Sequence, residues 1–195
     1  MLEGHIAGVR CRVSLLFPAL LAGLLLAQTD SLAVSCVLAS AMHEGGHLLA
    51  MLALGCPPQA CTLGAFGMRI EMSAERMVGY RRNILISFAG PMVNLLAAPL
   101  LWLSGCGRAA AVHLTLAIFN LLPAAALDGG QILRCVFCLV GKETKADRWL
   151  RMLSAAVLLP LAVLAFWLFL SGWGNVTLLI VSGYLTALIF LHPQN

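Results

Sequence analysis

The stretch His43-Glu44-Gly45-Gly46-His47 decides how this chain is interpreted, because it places three ionisable side chains in an otherwise uncharged apolar run. Residues 31–42 before it and residues 48–56 after it carry no charged side chain. The whole run is long enough for a transmembrane helix, which needs about 20 apolar residues. Ionisable groups at membrane depth cost free energy, so these three indicate a functional site.

The composition predicts a membrane protein. Of its 195 residues, 61% are hydrophobic and only 10% are charged, whereas a soluble domain carries about 25% charged residues. The length predicts one integral-membrane domain over residues 1–195, with a catalytic core over about 31–140. The net charge of +4 is explained by membrane topology and contact with anionic lipid. No sequence motif typical of nucleic-acid binding is present, so nucleic acid is not an expected partner.

The apolar runs predict an all-α polytopic membrane protein with about six transmembrane helices. The first run could imitate a signal peptide, but no small-x-small cleavage site precedes Asp30, which favours a retained helix. The fourth run is too long for one span and is interrupted at Asn120-Leu-Leu-Pro123, so we expect a broken helix beside protein or a water-filled cavity. The six candidate spans are residues 13–28, 31–54, 83–103, 109–140, 152–170 and 176–191.

The basic residues sort to one side of these spans. Arg108 alone falls on the opposite side, and Arg134 lies near the end of the fourth span. The positive-inside rule therefore places both termini and the ionisable stretch towards the cytoplasm. The residues on the cytoplasmic side are Arg10, Arg12, Arg69, Arg76, Arg81, Arg82, Lys142, Lys145, Arg148 and Arg151.

Residues 55–77 do not fit a transmembrane helix. Met68, Ile70 and Met72 alternate with Arg69 and Glu71, and this period of two is typical of a strand. We therefore predict a small β-hairpin beside the site. The alternative is a plain cytoplasmic loop.

The spacing of the two histidines predicts a metal site. Positions 43 and 47 lie one turn apart on the same face of a helix, so both imidazoles can reach one cation. Glu44 lies beside the first histidine and is expected to be the general base that activates water, not a ligand. Catalytic zinc sites use three protein ligands. Asp128 is the natural third one, because it is the carboxylate at the break in the fourth span.

Several other residues have competing interpretations. Gly45 and Gly46 could allow close approach of a helix or an extended substrate, or could reflect ordinary small-residue packing in membrane helices. His113 is interpreted as a packed or interfacial histidine, as are His5 and His192. The pair Cys135-x-x-Cys138 is interpreted as small apolar packing, because no second pair completes a metal site.

Three linked motifs resemble those of the site-2 protease family of intramembrane zinc metalloproteases. They are His43-Glu44-x-x-His47, then Ala89-Gly90-Pro91-Met-Val-Asn94, and finally Asn120-x-x-Pro123 followed by Leu127-Asp128-Gly129-Gly130. The resemblance covers residues 31–140, and the short form looks most like the branch of the stage IV sporulation protein FB. One departure is that Ala126 precedes Leu127-Asp128 where an asparagine is common in the family.

The resemblance implies roles for individual residues. One Zn²⁺ per chain would be bound by His43, His47 and Asp128, and Glu44 would activate water. Asn120 would contact the substrate backbone or hold the site. The further residues implied are Phe66 and Gly67, in a membrane re-entrant hairpin near the substrate cleft, and Asn94, which would shape the packing of the third span.

The expected function is that of a zinc-dependent metalloendopeptidase acting on membrane-associated protein substrates in regulated intramembrane proteolysis. The resemblance also implies a multi-pass protein of a bacterial cell membrane, with lipid and a regulatory membrane protein as partners. One alternative is a catalytically silent membrane scaffold of the same fold. A zinc transporter is a weaker alternative, because the outer half offers little beyond His113 and Asp30 as further ligands.

Overall fold

The chain is described by a computed structural model, which covers residues 2–6, 9–13, 31–58, 60–64, 67–71, 79–171 and 183. It forms two compact units, Met1–Ala117 and Ile118–Asn195. The described part is mainly helical with one small sheet. The predicted division into one domain with a core over about 31–140 stays a prediction.

The sheet of the first unit contains four strands: β1 (Leu2–Ile6), β2 (Val9–Val13), β3 (Ala60–Gly64) and β4 (Gly67–Glu71). They lie side by side in the order of the sequence. The β3–β4 pair is antiparallel, which confirms the predicted hairpin and makes the plain-loop alternative wrong for these residues. Its position beside the site and its re-entry into the membrane stay predictions.

The N-terminal strands were missed in the sequence. β1 and β2 are antiparallel, and β2 runs parallel to β3, with Arg10 opposite Ala60. The signal was present as the alternation of Val9, Cys11 and Val13 with two arginines. The all-α prediction with a single hairpin was therefore too narrow.

Two helices of the first unit form its main packed pair: α1 (Ser31–Ala53) and α2 (Tyr80–Leu103). Their bounds agree closely with the second and third predicted spans. Mostly small side chains are buried on both helices, while bulky leucines are exposed. Small interfacial residues let two helix backbones approach closely, as is common in membrane proteins. The buried small residues are Ala33, Ala39, Gly46, Ser87, Gly90, Ala97 and Ala98.

The predicted break in the fourth span is confirmed. The helix α3 (Gly107–Asn120) ends at the predicted interruption, and α4 (Asp128–Leu139) begins after seven non-helical residues. A long helix, α5 (Glu143–Leu170), follows and begins nine residues before the predicted fifth span. In the second unit, α4 and α5 are joined by an ion pair of 2.9 Å between Arg134 Nε and Asp147 Oδ1.

Among the described residues, α2 and α5 are long and apolar enough to cross a membrane, judged by length and composition. The predicted spans 176–191 and 13–28 fall outside the described residues, apart from Val13 and Gly183. The arrangement of six spans therefore stays a prediction.

Candidate metal centre

His43 and His47 lie one turn apart on α1, and both side chains are buried. Their rings meet edge to face, with centroids 4.8 Å apart and an interplanar angle of 84°. The two Nε2 atoms are 3.2 Å apart. The helix thus brings the same nitrogen of each imidazole to one point.

This spacing fits a shared zinc ion. A tetrahedral zinc holds imidazole nitrogens at about 2.0–2.1 Å, which places two such nitrogens about 3.3 Å apart. The observed separation of 3.2 Å is close to that value. The donor chemistry also fits, since neutral imidazole is a common zinc ligand.

The other ring nitrogen of His47 is held by α2. His47 Nδ1 lies 2.8 Å from the backbone oxygen of Ile86. A carbonyl oxygen can only accept, so Nδ1 carries the proton and donates. The lone pair of His47 is therefore on Nε2, the atom that faces His43. Hydrogen bonds of this kind orient metal-binding histidines.

The other ring nitrogen of His43 faces Asn94, which is 0% exposed on α2. The distance from Asn94 Nδ2 to His43 Nδ1 is 3.3 Å, and the distance from Asn94 Oδ1 to His113 Nδ1 is 3.0 Å. His113 is on α3 and is 3% exposed. We call His43, Asn94 and His113 the polar cluster. From the sequence, Asn94 was expected only to shape the packing of the third span. His113 was expected to have no role in the site.

Two glycines bring α1 and α2 together at the histidines. A Cβ atom at Gly46 would lie 2.8 Å from the Ala89 backbone oxygen and 2.9 Å from Val93 Cγ2. A Cβ atom at Gly90 would overlap the imidazole of His47. Close approach of a second helix is thus the structural reason for Gly46, one of the two interpretations offered by the sequence.

The remaining predicted residues are spread along the chain. Glu44 is half-buried on α1, next to His43. Gly67 is the first residue of β4, and Phe66 lies outside the described residues. In the second unit, Asn120 is the last residue of α3 and Asp128 the first residue of α4.

The loop before Asp128 is held tightly within the second unit. A Cβ atom at Gly129 would overlap the Leu121 carbonyl group, and one at Gly130 would overlap the Ala124 carbonyl group. The Ala125 N–H donates to Ser154 Oγ over 2.9 Å, and this hydroxyl donates to the Leu150 oxygen over 2.7 Å. The loop and the start of α4 are therefore fixed by close backbone contact and by α5.

Hydrophobic packing also holds the loop before Asp128 in place. Ala124 and Leu158 are fully buried against each other, with three partly buried neighbours. Asp128 is acidic in the first turn of α4, where the helix dipole stabilises negative charge. The three partly buried residues that pack against Ala124 and Leu158 are Phe119, Leu127 and Leu161.

Three matches with known proteins, among those found, describe what this chain is similar to. Residues 106–164 match the model of Peptidase family M50. A curated protein of Synechocystis sp. (strain ATCC 27184 / PCC 6803 / Kazusa), named "Putative zinc metalloprotease sll0528", is 31% identical over 156 residues. That match covers 67% of this chain but only 41% of the curated relative.

The third match is a solved structure, the site-2 protease from Methanocaldococcus jannaschii. It has a TM-score of 0.69 with 20% sequence identity, and covers 100% of this chain and 95% of that chain. At this identity the likeness concerns the fold.

Proposed function

Because this chain belongs to Peptidase family M50, the site-2 protease family, we propose that it is a zinc-dependent endopeptidase that cleaves membrane-associated proteins. The observation that carries the proposal is the histidine pair, with its Nε2 atoms 3.2 Å apart. The bond from His47 Nδ1 to Ile86 supports it further, because it leaves the facing nitrogen able to bind a metal.

The proposed ligands of one zinc ion are His43, His47 and Asp128. Two imidazoles and one carboxylate are a common ligand set of catalytic zinc, and these three residues supply it. When bound, zinc polarises the scissile carbonyl and lowers the pKa of the attacking water towards about 7. The fixed loop of the second unit suits Asp128 to this role, because a ligand must be held in place to bind tightly.

Glu44 is the proposed general base. Its carboxylate takes a proton from the attacking water and later delivers this proton to the leaving amine. A single residue can serve both steps because it ends the cycle in its starting state. Asn120, Phe66 and Gly67 are proposed to bind the substrate or hold the site.

The proposed substrate is a membrane-associated segment in extended form, because a helix hides its carbonyl groups in hydrogen bonds. Such a segment could add to a sheet edge by strand pairing, and β4 ends the described sheet. We also propose a role in regulated intramembrane proteolysis in a bacterial cell membrane, with the site facing the cytoplasm and a regulatory membrane protein as partner.

The test uses the full chain in detergent micelles with zinc and a single-span substrate. We expect cleavage by the wild-type chain and a loss of at least about 100-fold for Glu44→Gln, since a general base contributes about 10²–10⁴-fold. Glu44→Gln keeps the size of the side chain, and its zinc content serves as the control for an intact site.

Three results would contradict the proposal. Equal cleavage by Glu44→Gln would exclude this mechanism. Substrate binding by a zinc-loaded chain without cleavage would favour a scaffold. Zinc uptake into proteoliposomes without cleavage would favour a transporter.

A further inference from the structure

His113 is a polar residue in apolar surroundings. It lines a cavity of about 340 Å³ in the first unit, between α1, α2 and α3. A buried polar group costs free energy unless it is hydrogen-bonded, and Asn94 supplies that bond at 3.0 Å. The other lining residues are Ser35, Leu38, Met42, Ala97, Leu100, Leu101 and Ala109.

The hydrogen bonds of this region run in one direction. His113 Nδ1 donates to Asn94 Oδ1, and Asn94 Nδ2 donates to His43 Nδ1. With its Nδ1 accepting, a neutral His43 carries its proton on Nε2, which lies 3.2 Å from His47 Nε2. His47 Nδ1 donates to the Ile86 oxygen. A neutral imidazole has one donor and one acceptor nitrogen, and these four contacts agree with that rule.

Binding a metal through Nε2 of His43 requires the opposite direction at Asn94. The ligand nitrogen must offer its lone pair, so the ring proton must be on Nδ1. Asn94 must then present its oxygen to His43 and its amino group to His113. Rotation of the amide by about 180° achieves this with little change in shape, because its two ends are of similar size.

His113 makes this rotation possible. With the Asn94 amino group facing it, His113 Nδ1 must accept a hydrogen bond, and a neutral imidazole can do so by carrying its proton on Nε2. In His43 the exchange moves one proton from Nε2 to Nδ1 through solvent and leaves the ring neutral. An aliphatic side chain at position 113 could neither donate to Asn94 nor accept from it.

We propose that Asn94 and His113 are positioning residues that set the tautomer of His43 for metal binding through a reversible chain of hydrogen bonds. This inference rests on the proposed zinc site. It assigns a role to His113, which is linked to His43 through Asn94 in the polar cluster.

The experiment measures metal affinity and spectrum in the full chain in detergent. Zinc affinity is obtained by competition with a chelator, and Co²⁺ serves as a spectroscopic probe of the ligand geometry. We expect His113→Leu and Asn94→Leu to weaken zinc binding by about 10–100-fold, the usual effect of losing a hydrogen-bond partner of a ligand. Their Co²⁺ absorption should differ from wild type.

Conservative variants separate positioning from packing. His113→Asn keeps a side-chain group that can accept or donate a hydrogen bond near the position of Nδ1. It should therefore have the zinc affinity and the Co²⁺ absorption of the wild-type chain. Asn94→Asp should also bind zinc, because a carboxylate accepts the Nδ1 proton of His43. Ala110→Val is the control, since it disturbs another buried position of the same helix and leaves every member of the polar cluster unchanged.

The outcomes distinguish this inference from the proposed function. If the wild-type chain binds metal and His47→Ala does not, but His113→Leu binds like wild type, the inference is wrong and the zinc site stands. Equal losses in His113→Leu, His113→Asn and Ala110→Val would assign His113 a packing role and also overturn it. A wild-type chain that binds neither metal overturns both proposals.

Discussion

At the scale of single residues, Gly45 and Gly46 have different surroundings although they are neighbours in α1. A Cβ atom at Gly46 would be pressed against Ala89 and Val93 of α2. A Cβ atom at Gly45 would have no heavy atom within 4 Å among the described residues. The sequence could not separate the two glycines, because helical periodicity does not tell which partner helix faces which residue.

The first prediction compares alanine at these two positions. Gly46→Ala should lower the free energy of unfolding by about 1–3 kcal/mol, the usual cost of overpacking. Gly45→Ala should leave it unchanged or raise it by up to about 1 kcal/mol, because alanine is the better helix former. Denaturant titration of both variants in the same detergent measures the difference. Equal effects at the two positions would contradict the packing described for Gly46.

At the scale of elements, the hydroxyl of Ser154 on α5 connects the loop before Asp128 to that helix. It accepts from the Ala125 N–H and donates to the Leu150 oxygen, and Ser154 is fully buried. Ser171, at the end of the same helix, donates to the Trp167 oxygen in the same way but is exposed. The two serines form a matched pair that differs in the loop contact and in burial.

The second prediction uses this pair. Ser154→Ala leaves the Ala125 N–H without its acceptor, which should cost about 1–3 kcal/mol of stability. Ser171→Ala should change stability by less than about 0.5 kcal/mol, as is usual for surface positions. Denaturant unfolding provides the stability, and chelator competition shows whether zinc binding weakens with the loop. An equal change in both variants would mean that the loop is held by its other contacts.

The helical elements were more predictable than the strands. Pro123 and the polar residue Asn120 interrupt an apolar run that is too long for one span, so the break between α3 and α4 was visible in the sequence. β1 and β2 are only five residues each, and their alternation is followed by a strong apolar run. The parallel pairing of β2 with β3 joins segments far apart in sequence, which local patterns do not specify.

The candidate metal site, like the fold, was only partly predictable from the sequence. The positions of His43 and His47 followed from helical spacing, because i and i+4 always share a face. The polar cluster did not follow, since it depends on how α1, α2 and α3 pack. A lone histidine in an apolar helix, such as His113, was the available signal, and its hydrogen-bond partner lies 19 positions away.

At the scale of the whole molecule, removal of zinc provides the third prediction. A ligand that binds only the folded chain stabilises it by about 2.7 kcal/mol at a hundredfold excess over Kd. Chelation should therefore lower the unfolding temperature, and added zinc should restore it. The Asp128→Ala variant should show a much smaller shift, because the proposed site loses one ligand. A shift of wild-type size in that variant would exclude Asp128 as a ligand.

The fourth prediction concerns the orientation of the chain in its membrane. Ten basic residues are expected on the cytoplasmic side and Arg108 on the other, so the turn between α2 and α3 should face outwards. Cys106 lies in that turn and is exposed, and the exposed Lys145 near the start of α5 should face the cytoplasm.

A chain with Cys106 as its single cysteine should react with a membrane-impermeant maleimide in intact cells. A cysteine-free chain carrying Lys145→Cys should react only in inverted vesicles. The reverse pattern would place the site on the outer side of the membrane, and labelling of both positions from one side would contradict the predicted arrangement of spans between them.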